Sequence, residues 1–148
     1  MIVVSNSSPL IALSRIDQLQ ILKGLFGRVY IPDTVYQETV TNCGIISQRS
    51  RISQATNEFI EVVQPKVRYA FSRNLGAGEQ GVLNLSMEKQ AQLVLIDDKR
   101  DRHEAQELGL IPAFTTDILK KAECQHLITS YQQVVKELQE VGIYLPGW

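Results

Sequence analysis

The stretch Leu93-Val94-Leu95-Ile96-Asp97-Asp98 decides the fold, because a continuous apolar run passes directly into two carboxylates. A strand that is apolar throughout is buried on both faces, as in a parallel sheet covered by helices. Four other short apolar runs alternate with stretches of helical spacing, and they fall at residues 2–4, 29–31, 60–63 and 111–114. This alternation predicts an α/β protein, a single three-layer α/β/α sandwich with a mainly parallel central sheet.

Length and composition are those of an ordinary globular domain. The chain has 148 residues, of which 44% are hydrophobic and 21% are charged. No linker, repeat or low-complexity segment divides it, so we expect one domain over residues 1–148. Fifteen Lys and Arg against sixteen Asp and Glu give a net charge of -1. A nucleic-acid partner would therefore have to meet a local basic patch and not a field from the whole molecule.

Cysteine usage and the first residues favour a cytoplasmic protein. Cys43 and Cys124 lie far apart without zinc-ligand spacing, which is typical of two thiols in a reducing compartment. The chain enters an apolar run at once, without a basic segment or a small-residue cleavage pattern, so a signal peptide is not expected. No stretch has the apolar length that a membrane helix needs.

Turn and capping residues predict where the helices begin. Ser8 followed by Pro9 indicates that the first helix starts there, with the serine as its cap. The polar residues 41–58 have helical spacing, and Gly78-Glu79 opens another helix. Ser130 and Gln133 fit a capping box for the last one.

Polar side chains follow the ends of two predicted strands. Asn6 comes just after the first strand, and Asp97 and Asp98 come just after the fourth. Ligands of open parallel sheets bind outside the carboxyl ends of the strands, so a site would be built at these positions. Glu38 and Glu79 lie near the starts of helices that could present them at the same edge. Each acid alone is more simply a surface residue favoured by the helix dipole. Together they predict a site for Mg²⁺ or a similar hard cation, which could activate water against a phosphodiester.

Four segments resemble the PIN-domain proteins, in the branch related to VapC-type ribonucleases. They are Val3-Val4-Ser5-Asn6-Ser7-Ser8-Pro9-Leu10-Ile11, Ile31-Pro32-Asp33-Thr34-Val35-Tyr36-Gln37-Glu38, Gly78-Glu79 and Leu95-Ile96-Asp97-Asp98. Each motif is weak alone, but the four occur in the order of the family and span roughly residues 1–119.

The resemblance implies an endoribonuclease that uses Mg²⁺ or Mn²⁺ held by an acidic quartet. Glu38, Glu79 and Asp97 would be three of the four acids, with Asp98 as a neighbour able to help, and Ser8 would match a supporting hydroxyl residue. The resemblance also implies a toxin of a toxin–antitoxin pair, which would be a homodimer with an antitoxin protein as its partner.

Asn6 stands where the resembling proteins ordinarily carry the fourth acid. An asparagine offers one carbonyl oxygen and no charge, so it can complete a coordination shell but cannot neutralise Mg²⁺. Disturbing even outer partners of a metal commonly costs about 10–100-fold in affinity or activity. Two hypotheses follow: an endoribonuclease weakened at Asn6, or a catalytically inactive PIN-like domain that binds RNA or a protein partner.

Two other interpretations of these segments are a dinucleotide-binding site and a response-regulator receiver. Residues 76–81 spell G-x-G-x-x-G, which would suit a dinucleotide site if a buried strand preceded it. The preceding residues 68–75 are polar and basic, which argues against that context. A response-regulator receiver would carry its acidic pair after the first strand, and here the pair follows the fourth.

Basic side chains beside the acidic pair are candidates for RNA contacts. Lys99, Arg100 and Arg102 follow it directly, and further arginines occur at positions 49, 51, 68 and 73. Helix-surface charge is the simpler explanation, and a rim that holds RNA phosphates is the functional one. His103 and His126 lack partners in the sequence and are poor catalytic candidates.

Overall fold

The computed structural model describes residues 1–146, so the last two residues of the predicted domain, Gly147 and Trp148, lie outside the described residues. Five strands form one sheet in the order β3-β2-β1-β4-β5, and every neighbouring pair is parallel. The strands are β1 (Val3–Ser5), β2 (Val29–Pro32), β3 (Ile60–Val63), β4 (Leu93–Leu95) and β5 (Pro112–Ala113). The predicted α/β/α fold with a parallel sheet is confirmed.

Helices connect the strands and cover the sheet. They are α1 (Ser7–Arg15), α2 (Gln20–Phe26), α3 (Asp33–Tyr36), α4 (Ile46–Ala55), α5 (Ala77–Lys89), α6 (Lys99–Glu107), α7 (Thr115–Cys124) and α8 (Tyr131–Glu140). A π-helical segment, Gln37–Thr41, continues α3 without a break. Among the described residues, none of these helices combines the length and apolar character needed to cross a membrane.

The strand order reverses at β1, and this reversal positions the candidate site. The chain moves outward from β1 to β2 and β3, then returns to place β4 on the other side of β1. The crossovers after β1 and β4 therefore leave in opposite directions and open a crevice at the carboxyl edge. Such a switch point is where open α/β sheets bind ligands.

Burial explains why this sheet is stable with short strands. Val3, Val4, Val94 and Leu95 in the two central strands are completely buried. The outer strand β3 is less covered, since Val62 is 39% exposed. Apolar burial contributes about 25 cal/mol per Å² and is the main stabilising term.

Two predicted helix boundaries were wrong. The first helix begins at Ser7, and Asn6 is its cap, with its side-chain oxygen accepting the Ser7 N–H. Asn is as good a cap as Ser, and β1 ends at Ser5, so the helix begins directly after Asn6, two residues before the start that a Ser8 cap would give. The predicted helix over residues 41–58 is confined to α4, because residues 42–45 form the turn that follows the π-helical segment.

Candidate active site

Asn6 lies at the bottom of the crevice between β1 and β4. Its backbone N–H donates to the Leu95 carbonyl at 3.0 Å, which ties the start of α1 to the end of β4. Its side-chain oxygen accepts the Ser7 N–H at 2.8 Å, and the residue is only 4% exposed. The amide therefore has a fixed orientation, set by its capping role.

Glu38 reaches this crevice from the π-helical segment. The Ser7 hydroxyl donates to the Glu38 carboxylate at 2.7 Å, which joins the start of α1 to the helix after β2. A π-helical turn shifts the side chains that follow it relative to an α-helix, and such turns are frequent at functional sites. Ser7, which the sequence reasoning did not single out, is thus the hydroxyl that orients Glu38.

Gly78 lets the Glu38 carboxylate pack against the first turn of α5. A methyl group on Gly78 would come within 3.0 Å of the carboxylate carbon and both its oxygens, so only glycine leaves the space. Glu79 is the next residue, and its carboxylate turns back over Gly76, the cap of α5. The Glu38 and Glu79 carboxylates therefore both lie against the first turn of α5, one at Gly78 and the other at Gly76.

Asp98 caps α6 and lies beside Asp101, an acid in the first turn of the same helix. Its carboxylate accepts the N–H groups of Arg100 and Asp101 at 2.8 and 3.1 Å. Burial, together with the charges of Asp98 and Glu79, raises the pKa of Asp101 to about 7. Because the charge of Glu79 acts on Asp101, carboxylates at the start of α5 lie near carboxylates at the start of α6. Asp101 was missed in the sequence, although its spacing of three residues from Asp98 places both on one helix face.

Asp97 is held more tightly than the other acids. One carboxylate oxygen accepts the Thr115 N–H and the other accepts the Thr115 hydroxyl, both at 2.7 Å. The residue is 6% exposed, and burial raises its pKa although the two bonds from Thr115 oppose that shift. Thr115 begins α7 after β5, and nothing in the sequence marked it as a partner of Asp97.

Ser8 faces a different part of the edge from Ser7. Ser8 is exposed, and with Asp97 it lines a hollow of about 210 Å³ that the residues 143–146 close from the other side. The serine predicted to support the site is therefore a neighbour of Asp97, while Ser7 contacts Glu38.

The acids share one edge of the sheet but do not form a closed shell. Ser7 forms hydrogen bonds with both Asn6 and Glu38, and Glu38 packs against Gly78 at the start of α5. The charges of Glu79 and Asp98 act on Asp101. Within residues 1–146, no three Asp, Glu, His or Cys side chains converge as a ready set of metal ligands. The donors that line the edge are hard oxygens, the type that Mg²⁺ and Mn²⁺ accept together with water and phosphate oxygens.

The predicted RNA-contacting side chains divide into two kinds. Lys99 and Arg100 are exposed, although Arg100 also donates to the Asn74 carbonyl at 2.6 Å. The Arg102 guanidinium lies 3.4 Å from the centre of the Phe114 ring and lowers the pKa of Asp97 by its charge. Arg102 is thus packed inward, while Lys99 and Arg100 face solvent.

Comparisons with known proteins agree with the fold and the family. The family model DUF3368, described as PIN domain, matches residues 2–147. A PilT N-terminus domain protein from the hyperthermophilic archaeon Sulfolobus solfataricus P2 is 19% identical, with a TM-score of 0.59, over 82% of this chain and 93% of that one. A domain of a functionally unknown protein from Methanocaldococcus jannaschii is 20% identical, with a TM-score of 0.50, over 77% and 91%. No curated protein matches the chain.

Proposed function

This chain belongs to the DUF3368 family of PIN domains, a nuclease fold family, and on that premise we propose that it is an endoribonuclease dependent on Mg²⁺ or Mn²⁺. One observation carries the proposal. The Glu38 carboxylate packs on Gly78, one residue before Glu79, at the edge where Asp97 and Asp98 follow β4. We infer that acids from these three segments share one crevice, because all of them lie at the carboxyl edge, where open α/β sheets bind ligands at the switch point.

We assign the metal to Glu38, Glu79 and Asp97, with the Asn6 carbonyl and Asp98 as further donors and Asp101 beside them. The residues fit such an ion in their donor chemistry, because all of them offer hard oxygen atoms at the carboxyl edge. A cation would also relieve the repulsion from Asp98 and Glu79, which adds to the effect of burial on the pKa of Asp101. A bound divalent ion supplies an activated water and neutralises charge that develops on the phosphodiester. A partly open shell suits Mg²⁺, which usually retains waters and takes substrate phosphate oxygens.

The residues around the acids fix their orientation. Ser7 holds Glu38 and Thr115 holds Asp97, so neither carboxylate has to be ordered when the substrate binds. Hydrogen-bonded partners of this kind tune ligands and are commonly worth about 10–100-fold in affinity or activity. Lys99 and Arg100, on the exposed start of α6, would contact RNA phosphates without reading bases.

Cleavage of a mixed RNA pool tests this function. We expect products with Mg²⁺ or Mn²⁺ and none with EDTA, and loss of the products in Asp97→Ala and Glu79→Gln. Glu140→Gln is the matched control, since Glu140 is exposed at the end of α8 and forms no contact with these acids. Equal cleavage by the wild type and Asp97→Ala would refute the proposal.

A catalytically inactive domain that binds RNA or a protein partner is the second candidate, and Asn6 favours it. The amide gives the shell one negative charge fewer than an acid would. Asn6→Asp keeps the capping oxygen on the Ser7 N–H and adds the charge. The second candidate predicts cleavage only in Asn6→Asp. Unchanged Mn²⁺ affinity in that variant would argue against the whole site assignment.

The VapC-like resemblance extends the proposal to a toxin that acts in the cytoplasm as a homodimer and is inhibited by an antitoxin protein. Induced expression in a bacterial host tests it. We expect growth arrest that Glu79→Gln abolishes, and uninhibited growth with a cleavage-competent chain would contradict the toxin role.

A further inference from the structure

A second cavity, of about 170 Å³, opens beside the acids between α3, the start of α5 and the loop after β3. Its wall mixes apolar surface with polar side chains, which are those of Asp33, Thr34, Gln64, Arg68, Gln80 and Asn84. None of these side chains has a part in the proposed metal site. The cavity therefore needs an explanation of its own.

Most of the hydrogen-bonding capacity of this lining is unused. Within the part of the chain that the structure describes, the side chains of Asp33, Gln64 and Arg68 make no hydrogen bond or ion pair. The Gln80 amide nitrogen donates to the Leu75 carbonyl at 2.7 Å, which leaves its oxygen for a ligand. The Asn84 oxygen accepts the Tyr69 N–H at 2.9 Å, which leaves its amino group.

Thr34 adds an observation that points to a ligand or an ordered water. Its hydroxyl oxygen is buried and has no hydrogen-bond partner among the described residues. A buried hydroxyl is normally paired, so an unpaired one on a cavity wall indicates that something polar fills the cavity. Gly81 shapes this wall, because a methyl group at that position would overlap the Thr34 hydroxyl and contact Pro32.

The chemistry of the lining matches a nucleotide. A nucleobase has a polar edge of donors and acceptors and two apolar faces, and Pro65 and Ala77 supply apolar wall for a face. Gln64, Gln80 and Asn84 can donate to or accept from the base edge. Asp33 can only accept when ionised, so it favours a base that presents an amino group. Arg68 is exposed at the rim, where a phosphate would be held.

The loop that carries Gln64 and Arg68 is held in place, which preorganises the cavity. The Lys66 N–H donates to Glu88 at 3.2 Å, and the Tyr69 N–H donates to Asn84. Farther along, Ser72 and Arg73 donate to Glu104, a residue that is 2% exposed. A loop fixed at several points loses little entropy when a ligand binds.

We propose that this cavity binds one nucleotide of the RNA substrate, with an amino-bearing base, and so selects the sequence next to the cleaved bond. The inference rests on the proposed function for its substrate class. The two sites adjoin, because Ala77 and Gln80 line the cavity while Gly78 and Glu79 border the acids. A strand lying across the first turn of α5 would place one nucleotide in the cavity and its neighbouring phosphate near the acids.

Binding of mononucleotides without metal tests the cavity separately from catalysis. The side-chain amide signals of Gln64, Gln80 and Asn84 are followed by NMR during titration with AMP, GMP, CMP, UMP and inorganic phosphate. We expect these signals to shift with at least one of the three amino-bearing nucleotides, and more weakly with UMP and phosphate. Absence of such shifts at millimolar nucleotide, or equal shifts with phosphate alone, would overturn the inference.

Charge and amide variants then locate the contact. Arg68→Gln should weaken nucleotide binding about tenfold, as loss of a charge-assisted phosphate contact does. The matched control is Arg28→Gln, because Arg28 precedes β2 at the opposite edge of the sheet and, within residues 1–146, its side chain pairs only with the exposed Glu61. Equal weakening by both variants would contradict the assignment.

The two proposals fail in different ways. Nucleotide binding that depends on Arg68 would persist in a chain that cleaves nothing, and would then support the cavity while the nuclease proposal falls. Conversely, metal-dependent cleavage whose sequence preference is the same in Gln64→Ala and Arg68→Gln as in the wild type would support the nuclease and overturn the cavity.

Discussion

Gly78→Ala should strongly lower the activity of this protein and leave its stability nearly unchanged. Alanine is the better helix former, and the change in a helix is worth roughly 0.5–1 kcal/mol in its favour. Against this, the new methyl group would lie within 3.0 Å of the Glu38 carboxylate. Real Cβ contacts are essentially never shorter than 3.0 Å and are ordinarily 3.4–4 Å, so the nearer carboxylate oxygen has to move away by roughly 1 Å.

We expect the Glu38 side chain to move away from the new methyl group, while the core stays in place. Glu38 is exposed, so it can swing toward solvent, but its hydrogen bond from Ser7 is then lost. A single hydrogen bond of this type contributes about 1 kcal/mol or somewhat more, which offsets the helix-propensity gain. The free energy of unfolding should therefore stay within about 1 kcal/mol of the wild type, a shift in Tm of about 2–4 °C.

Activity should respond quite differently. A misplacement of about 1 Å in a group that positions the reaction can cost on the order of 100-fold in rate. We expect kcat/KM for RNA cleavage to fall by about that factor, close to the effect of Glu38→Gln, and Mn²⁺ affinity to fall with it. The assays are thermal unfolding, fluorescent RNA cleavage and Mn²⁺ titration on the same samples.

Gly44→Ala is the control for the glycine change, since a methyl group at that position meets nothing within 4 Å. It should leave both stability and cleavage unchanged. The reasoning is refuted if folded Gly78→Ala cleaves RNA and binds Mn²⁺ as the wild type does, because Glu38 would then not be required where it lies.

Three further predictions concern the groups around the acids. Thr115→Val removes the hydroxyl that donates to Asp97, so the pKa of Asp97 should rise further and the pH–rate profile should move to higher pH; an unshifted profile would contradict this. Mn²⁺ binding at pH 7 should release about half a proton from Asp101, measured by calorimetry in buffers of different ionisation enthalpy, and Asp101→Asn should release none. The third concerns Glu104, where burial favours a higher pKa but hydrogen bonds from Ser72 and Arg73 outweigh it and lower the pKa. Its contribution to stability is present above the ordinary glutamate pKa and is lost as the pH falls through the lowered value, so acid unfolding of Glu104→Gln should depend less on pH there.

The sheet could be predicted because its signal is local. Each strand is a short apolar run, and Asp97 follows two residues after the end of β4, so the carboxyl edge could be located from a few consecutive residues. The parallel arrangement followed from the helices between the runs. The meeting of Glu38 with the start of α5 also follows from this topology, once both segments are placed at the same edge.

The hydrogen-bond partners and environments of individual side chains could not be predicted. Thr115 holds Asp97 across 18 positions of sequence, and its role depends on how α7 leaves β5. The cap of α1 was misplaced, because Asn6 and Ser8 are both good caps and the end of β1 decides between them. The raised pKa of Asp101 comes first from burial, and then from the charges of Asp98 and Glu79; burial and the approach of Glu79 depend on tertiary structure that no local pattern encodes.

The most direct test is the position of a bound Mn²⁺ ion, located by anomalous diffraction from crystals grown with the metal. We expect a peak at the carboxyl edge between β1 and β4, with oxygen ligands from Glu38, Glu79 and Asp97 at about 2.0–2.2 Å, as is usual for small hard divalent ions. A crystal saturated with Mn²⁺ whose peak lies away from these carboxylates, or that has no peak at this edge, would contradict it.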